Sequence, residues 1–162
     1  MILDRISYYL NVVLMAIGGL FLVAMIFLTC ANIFLRIVWI PVSGTFELMG
    51  YFGAVLTALA LGYTQIKKGH ISVDIMVLGF SKTAQKILHV INDLICVCFF
   101  ALVSWQIARY AATLQRTGEV TETLQIIYYP FTYGVAFGCA VLALVFLVDL
   151  LKILARKGGD EA

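Results

Sequence analysis

Charge is scarce over most of this chain. Residues 6–35 contain no Asp, Glu, Lys or Arg, and neither do residues 48–66, 94–108 and 123–148. Charged residues make up 12% of the sequence and hydrophobic ones 63%, against about 25% and about 45–50% in ordinary soluble domains. A soluble fold of this size could not cover so much apolar surface. The formal net charge of +2 is too small to suggest a nucleic-acid partner. Proline is nearly absent. Pro41 and Pro130 both lie near span ends, so no span carries the interruption at depth that marks a transporter's own substrate site. The two histidines, His70 and His89, fall near one face rather than as an inward pair, which argues against membrane haem. All four cysteines (Cys30, Cys96, Cys98 and Cys139) lie inside apolar stretches. Cys96 and Cys98, two apart on a helix, point to nearly opposite sides and cannot hold one metal together, so they read as small packing residues.

What the chain does contain is four apolar runs close to the roughly 20 residues that cross a hydrocarbon core about 30 Å thick. They predict an all-α integral membrane protein, a single membrane domain over 1–162, with spans at about 7–35, 46–66, 86–110 and 127–151. The first run is far longer than a signal-peptide core of about 7–15 residues and lacks a small-residue cleavage site, so it reads as a retained span. Trp39 stands where an interfacial anchor belongs. Pro41 and Gly44 break the chain before helix 2, which Ser43 or Thr45 can cap, with the Glu47 carboxylate in its first turn. On helix 2, Gly50, Ala54, Ala58 and Gly62 recur every four residues. Such small side chains allow close backbone approach in lipid, whether the neighbouring helix belongs to this chain or to a partner. Gly134 and Gly138 repeat the spacing once on helix 4.

After helix 2, the piece Ile75–Phe80 is too short to span and predicts a short interfacial helix between helices 2 and 3. Asp93 lies roughly two turns inside helix 3. At mid-depth facing lipid it would cost on the order of 2.5–3.5 kcal/mol, so a shallow position beside Lys86 or His89 is expected. Tyr128, Tyr129 and Tyr133 form an aromatic belt at the start of helix 4. Arg5, Lys67, Lys68, Lys82, Lys86, Lys152, Arg156 and Lys157 fall on one side of the membrane, and only Arg36, Arg109 and Arg116 on the other. The positive-inside rule places both termini in the cytoplasm.

The span interiors hold only mild polar groups such as Thr29, Asn32, Thr57 and Asn92, whereas an ion pathway needs intramembrane charge. No nucleophile, base and oxyanion donor converge, so no enzyme activity is expected, and no cofactor or metal either. Glu47 admits two readings: a proton carrier, or a cap or ion pair beside Arg36.

The loop motifs resemble a known family. Asn32-Ile33-Phe34-Leu35-Arg36 closing helix 1, Glu47 opening helix 2, and Gly69-His70-Ile71-Ser72-Val73-Asp74 after a Lys-rich helix end are similar to the small membrane subunit (DctQ-like) of tripartite ATP-independent periplasmic (TRAP) transporters. The chain departs from many members in having Gly44-Thr45-Phe46 where a Trp and a second acidic residue precede the glutamate. The resemblance implies a scaffold subunit of a sodium-coupled importer of organic acids in the bacterial inner membrane. It implies two protein partners besides the lipid bilayer: a large membrane subunit carrying the substrate and sodium sites, and a periplasmic solute-binding protein. On that basis Arg36, Glu47, Gly50, Ala54, Ala58, Gly62, His70 and Asp74 are candidates for subunit contacts or for structural ties within the chain. Two alternatives are a self-contained oligomeric four-helix carrier and the membrane anchor of a redox complex.

Overall fold

The computed structural model describes residues 2–67 and 82–155. Four helices follow one another: α1 (Ile2–Val38), α2 (Thr45–Ile66), α3 (Lys82–Thr117) and α4 (Tyr129–Ala155). Each contains a stretch long and apolar enough to cross a membrane: Ser7–Val38, Thr45–Ile66, Ile87–Thr117 and Tyr129–Ile153. The chain is a four-span all-α membrane protein. Extended pairing among the described residues is confined to one antiparallel bridge, Val120 with Ile127. The interfacial helix expected at 75–80, together with His70 and Asp74, lies outside the described residues.

Helix lengths follow from two separate causes, the bilayer and the stop signals. α2 begins one residue before its expected start and spans 22 residues, α1 spans 37 and α3 spans 36. At about 1.5 Å per residue the longer two reach roughly 55 Å, well beyond a core of about 30 Å. α3 continues past Tyr110, its expected end, to Thr117, because a helix outside the lipid does not need apolar residues to persist. Gly118 stops it at φ 66°. Its N–H donates to Leu114 O at 3.0 Å, the left-handed terminus that glycine adopts without a Cβ penalty. At the other connection neither Ser43 nor Thr45 caps α2. Gly44, at φ 72°, occupies the N-cap without any side-chain bond, and the Thr45 hydroxyl donates back to Val42 O at 2.7 Å.

α4 is the central element and touches each of the other three helices; α2 lies between α1 and α4, and α3 runs along α4. The core gathers Leu14, Val55, Leu59 and Val141, with Phe21 and Phe131 packed around it. The α2–α4 seam is tight. A Cβ on Gly138 would lie 2.6 Å from the Ala58 carbonyl oxygen, so only glycine permits this approach. α3 is held to α4 by the Ser104 hydroxyl, which donates to Ala136 O at 2.8 Å, and by Phe100 stacked on Phe146 at 6.0 Å. Asp93 is buried rather than turned to lipid. The outward faces of α1 and α3 carry large exposed apolar side chains, among them Leu20, Phe27, Phe34, Ile95, Leu102 and Trp105. These suit the hydrocarbon of a bilayer.

Candidate functional site: an interlocked cap at one end of the bundle

The 39–44 connection and the 118–128 connection meet at the same end of the bundle, and their backbones are tied to each other through side chains. Asn32, in the last turns of α1, accepts the Val42 N–H through Oδ1 at 2.9 Å. With the Thr45 bond, both the amide and the carbonyl of Val42 are satisfied. The α1–α2 turn is therefore fixed from both sides.

Glu47 then reaches across to the second connection. One carboxylate oxygen accepts the Thr123 N–H at 2.7 Å and the other the Leu124 N–H at 3.2 Å. Hydrogen bonds to a charged acceptor are about twice as strong as neutral ones. Arg36 is exposed on the last turn of α1, and the expected Arg36–Glu47 pair is not formed. The carboxylate is taken by two amides whose residues lie 76 and 77 positions away. Leu124 completes the interlock. A Cβ on Gly44 would overlap the Leu124 side chain, so the glycine both adopts the left-handed turn and leaves room for the leucine.

Beneath this polar layer lies an aromatic one. Tyr51, one turn below Glu47, stacks on Tyr128 at 5.4 Å and on Phe131 at 5.6 Å, with interplanar angles of 22°. Phe52 joins Phe131 at 5.9 Å and Phe21 at 5.3 Å. Such pairs contribute about 0.5–1.5 kcal/mol beyond their buried area. The Tyr128 hydroxyl faces Glu119. That carboxylate, then burial, hold the phenol pKa above the ordinary tyrosine range.

The small-residue stripe divides in two. Ala58 and Gly62 are buried, whereas Gly50 and Ala54 are exposed. Ala58 packs on Gly138, and Gly62 faces Asn11 of α1 and Val141 of α4. A Cβ on Gly50 would meet nothing within 4 Å. The buried half thus serves the chain's own packing, and the exposed half is uncovered. Among the described residues, no three of His, Cys, Asp and Glu gather where a metal could sit.

Thr123, Leu124 and Asn11 carried no signal in the sequence pattern. The first two act through backbone amides, which no residue type announces, and Asn11 reads as one mild polar group in an apolar run.

A family model described as tripartite ATP-independent periplasmic transporters, DctQ component, matches residues 25–156. That stretch contains the cap, the α2–α4 seam and all of α3. No curated protein and no solved structure matches the chain.

Proposed function

Since the chain belongs to the DctQ component family of tripartite ATP-independent periplasmic transporters, we propose that it is the fixed scaffold subunit of a sodium-coupled importer of organic acids. In this reading it binds, in the bacterial inner membrane, a large membrane subunit that carries the substrate and sodium sites. A periplasmic solute-binding protein delivers the solute. The family is one of transporter components, not of enzymes.

The observation that best supports a scaffold role is the filled interior. α4, at the centre, buries Ala136, Cys139, Val141, Leu142, Val145 and Phe146. Gly138 lets the Ala58 carbonyl of α2 come so near that a Cβ there would stand 2.6 Å from its oxygen. The buried polar residues described (Ser7, Asn11, Thr45, Asp93 and Thr121) lie toward the ends of the bundle rather than in a lane through it. A path for an anion requires such a lane. The distribution of Lys and Arg supports cytoplasmic termini and a periplasmic cap.

Exposed Gly50 and Ala54 support a place for the large subunit on α2, where small side chains favour a helix neighbour over lipid. Arg36, beside the cap, has its guanidinium exposed and available to that partner.

The reading is tested in liposomes. Organic-acid uptake driven by a sodium gradient is expected with the large subunit, the binding protein and this chain together, and not when this chain is left out or reconstituted by itself. Solute flux through this chain alone would favour the oligomeric carrier and overturn the scaffold role.

A further inference from the structure

The turn at residues 121–125 has the build of a receptor for a carboxylate. Thr123 and Leu124 present successive backbone N–H groups, and each meets a separate oxygen of one carboxylate. Successive amides of this kind form a concavity that favours anions. The turn is shaped by bonds that do not involve Glu47. The Thr121 N–H donates to Ile126 O at 3.0 Å, the Gln125 N–H donates to Thr121 O at 3.2 Å, and the Ile126 N–H donates to Thr121 Oγ1 at 3.3 Å. Gln125 holds φ at 51°, a left-handed conformation uncommon outside glycine.

We propose that this turn is a carboxylate-binding site whose resident ligand is Glu47, so that α2 latches the 118–128 hairpin onto the α1–α2 connection. Leu124 makes the latch two-sided. Its amide grips the carboxylate while its side chain fills the space above Gly44, so one cannot leave without disturbing the other. The turn's own bonds shape it, and the carboxylate on its two amides holds it against the α1–α2 connection. Once Glu47 is removed, the site would take a small carboxylate from solution, because Thr123 is exposed to solvent. The inference goes beyond the transporter reading and does not depend on it.

Amide hydrogen exchange of the full chain in lipid nanodiscs tests it. Replacing Glu47 with alanine (Glu47→Ala) is expected to accelerate exchange across 121–127 by about tenfold or more, the scale of a lost hydrogen bond to a charged group. Excess formate should slow it again, whereas chloride should not. Glu47→Gln has a single acceptor oxygen, so it frees one of the two amides and should give intermediate protection. This second variant decides the matter if the alanine variant loses its helices. Unchanged exchange in both variants, or acceleration that formate reverses no better than chloride, would overturn the proposal.

Discussion

The side-chain oxygen of Asn11 on α1 occupies the position that a Cβ on Gly62 of α2 would take. Asn11 is fully buried at 0% exposure, and its amide nitrogen donates to Ser7 O at 2.8 Å. That bond fixes the amide orientation, since a carbonyl can only accept. Oδ1 is left without an N–H or O–H donor among the described residues and faces the Cα–H of Gly62. A buried acceptor left unpaired costs about 1–3 kcal/mol, and a Cα–H contact returns only about 0.5–1 kcal/mol of that. The pair therefore sets the α1–α2 spacing more than it stabilises it.

Gly62→Ala should destabilise the chain by about 1–3 kcal/mol, the usual cost of overpacking, because the new methyl group collides with Asn11. Asn11→Ala removes the obstacle and should recover much of that loss, with a coupling of about 0.5–3 kcal/mol between the two sites. Unfolding midpoints of the two single variants and the double variant provide the measurement. Strict additivity would show that the oxygen and the methyl group do not compete.

Gly138 and Gly134 look alike in sequence but differ in their neighbours. A Cβ at 138 would stand 2.6 Å from a backbone oxygen, whereas one at 134 would meet a Val55 methyl at 3.5 Å, an ordinary contact. Gly138→Ala should therefore force α2 and α4 apart and cost about 1–3 kcal/mol. Gly134→Ala should gain up to about 1 kcal/mol, since alanine favours the helix and nothing opposes it. The same unfolding assay compares them, and equal losses at both positions would contradict this seam.

The stripe on α2 predicts a second contrast. Ala58→Leu places a large side chain in the α2–α4 seam and should lower the stability of the chain by itself. Ala54→Leu projects from the surface, should leave stability within about 0.5 kcal/mol, and should weaken recovery with the large subunit when both are co-expressed. Full recovery of the complex with a stably folded Ala54→Leu variant would remove that face of α2 from the proposed interface.

Why the stripe divides was legible only in part. A four-residue step advances a helix by about 40° beyond a full turn, so residues from Gly50 to Gly62 wind around α2 rather than along one line. The spacing predicts a close-packing surface, and within the chain only Ala58 and Gly62 have close helix neighbours. Which end turns inward depends on where α4 crosses, and a single sequence carries no direct record of that. The bounds of α2 were nearly readable because the bilayer itself limits the apolar run. The end of α3 was not, since Arg109 and Arg116 close the apolar run while the helix goes on to Gly118. That glycine was the available stop signal. Sequence proximity pointed Glu47 toward Arg36, and only the fold could bring it to the amides of Thr123 and Leu124.

Tyr128 offers a reading of the cap by pH. Interaction with the Glu119 carboxylate raises the phenol pKa above the ordinary 10.0, helped by burial. A raised pKa means that the unfolded chain releases this proton first as the pH climbs. The stabilisation is complete below the ordinary tyrosine value and is lost as the pH rises through the folded one. Tyrosinate absorbance should therefore show a late-titrating group in the native protein that disappears in Tyr128→Phe. Glu119→Gln, which removes the charge, should move that titration down toward the ordinary range and make alkaline stability less dependent on Tyr128. If the late group persists unchanged in Glu119→Gln, the tyrosine is held by something other than this carboxylate, and the Glu119–Tyr128 contact is not what orders the cap on that side.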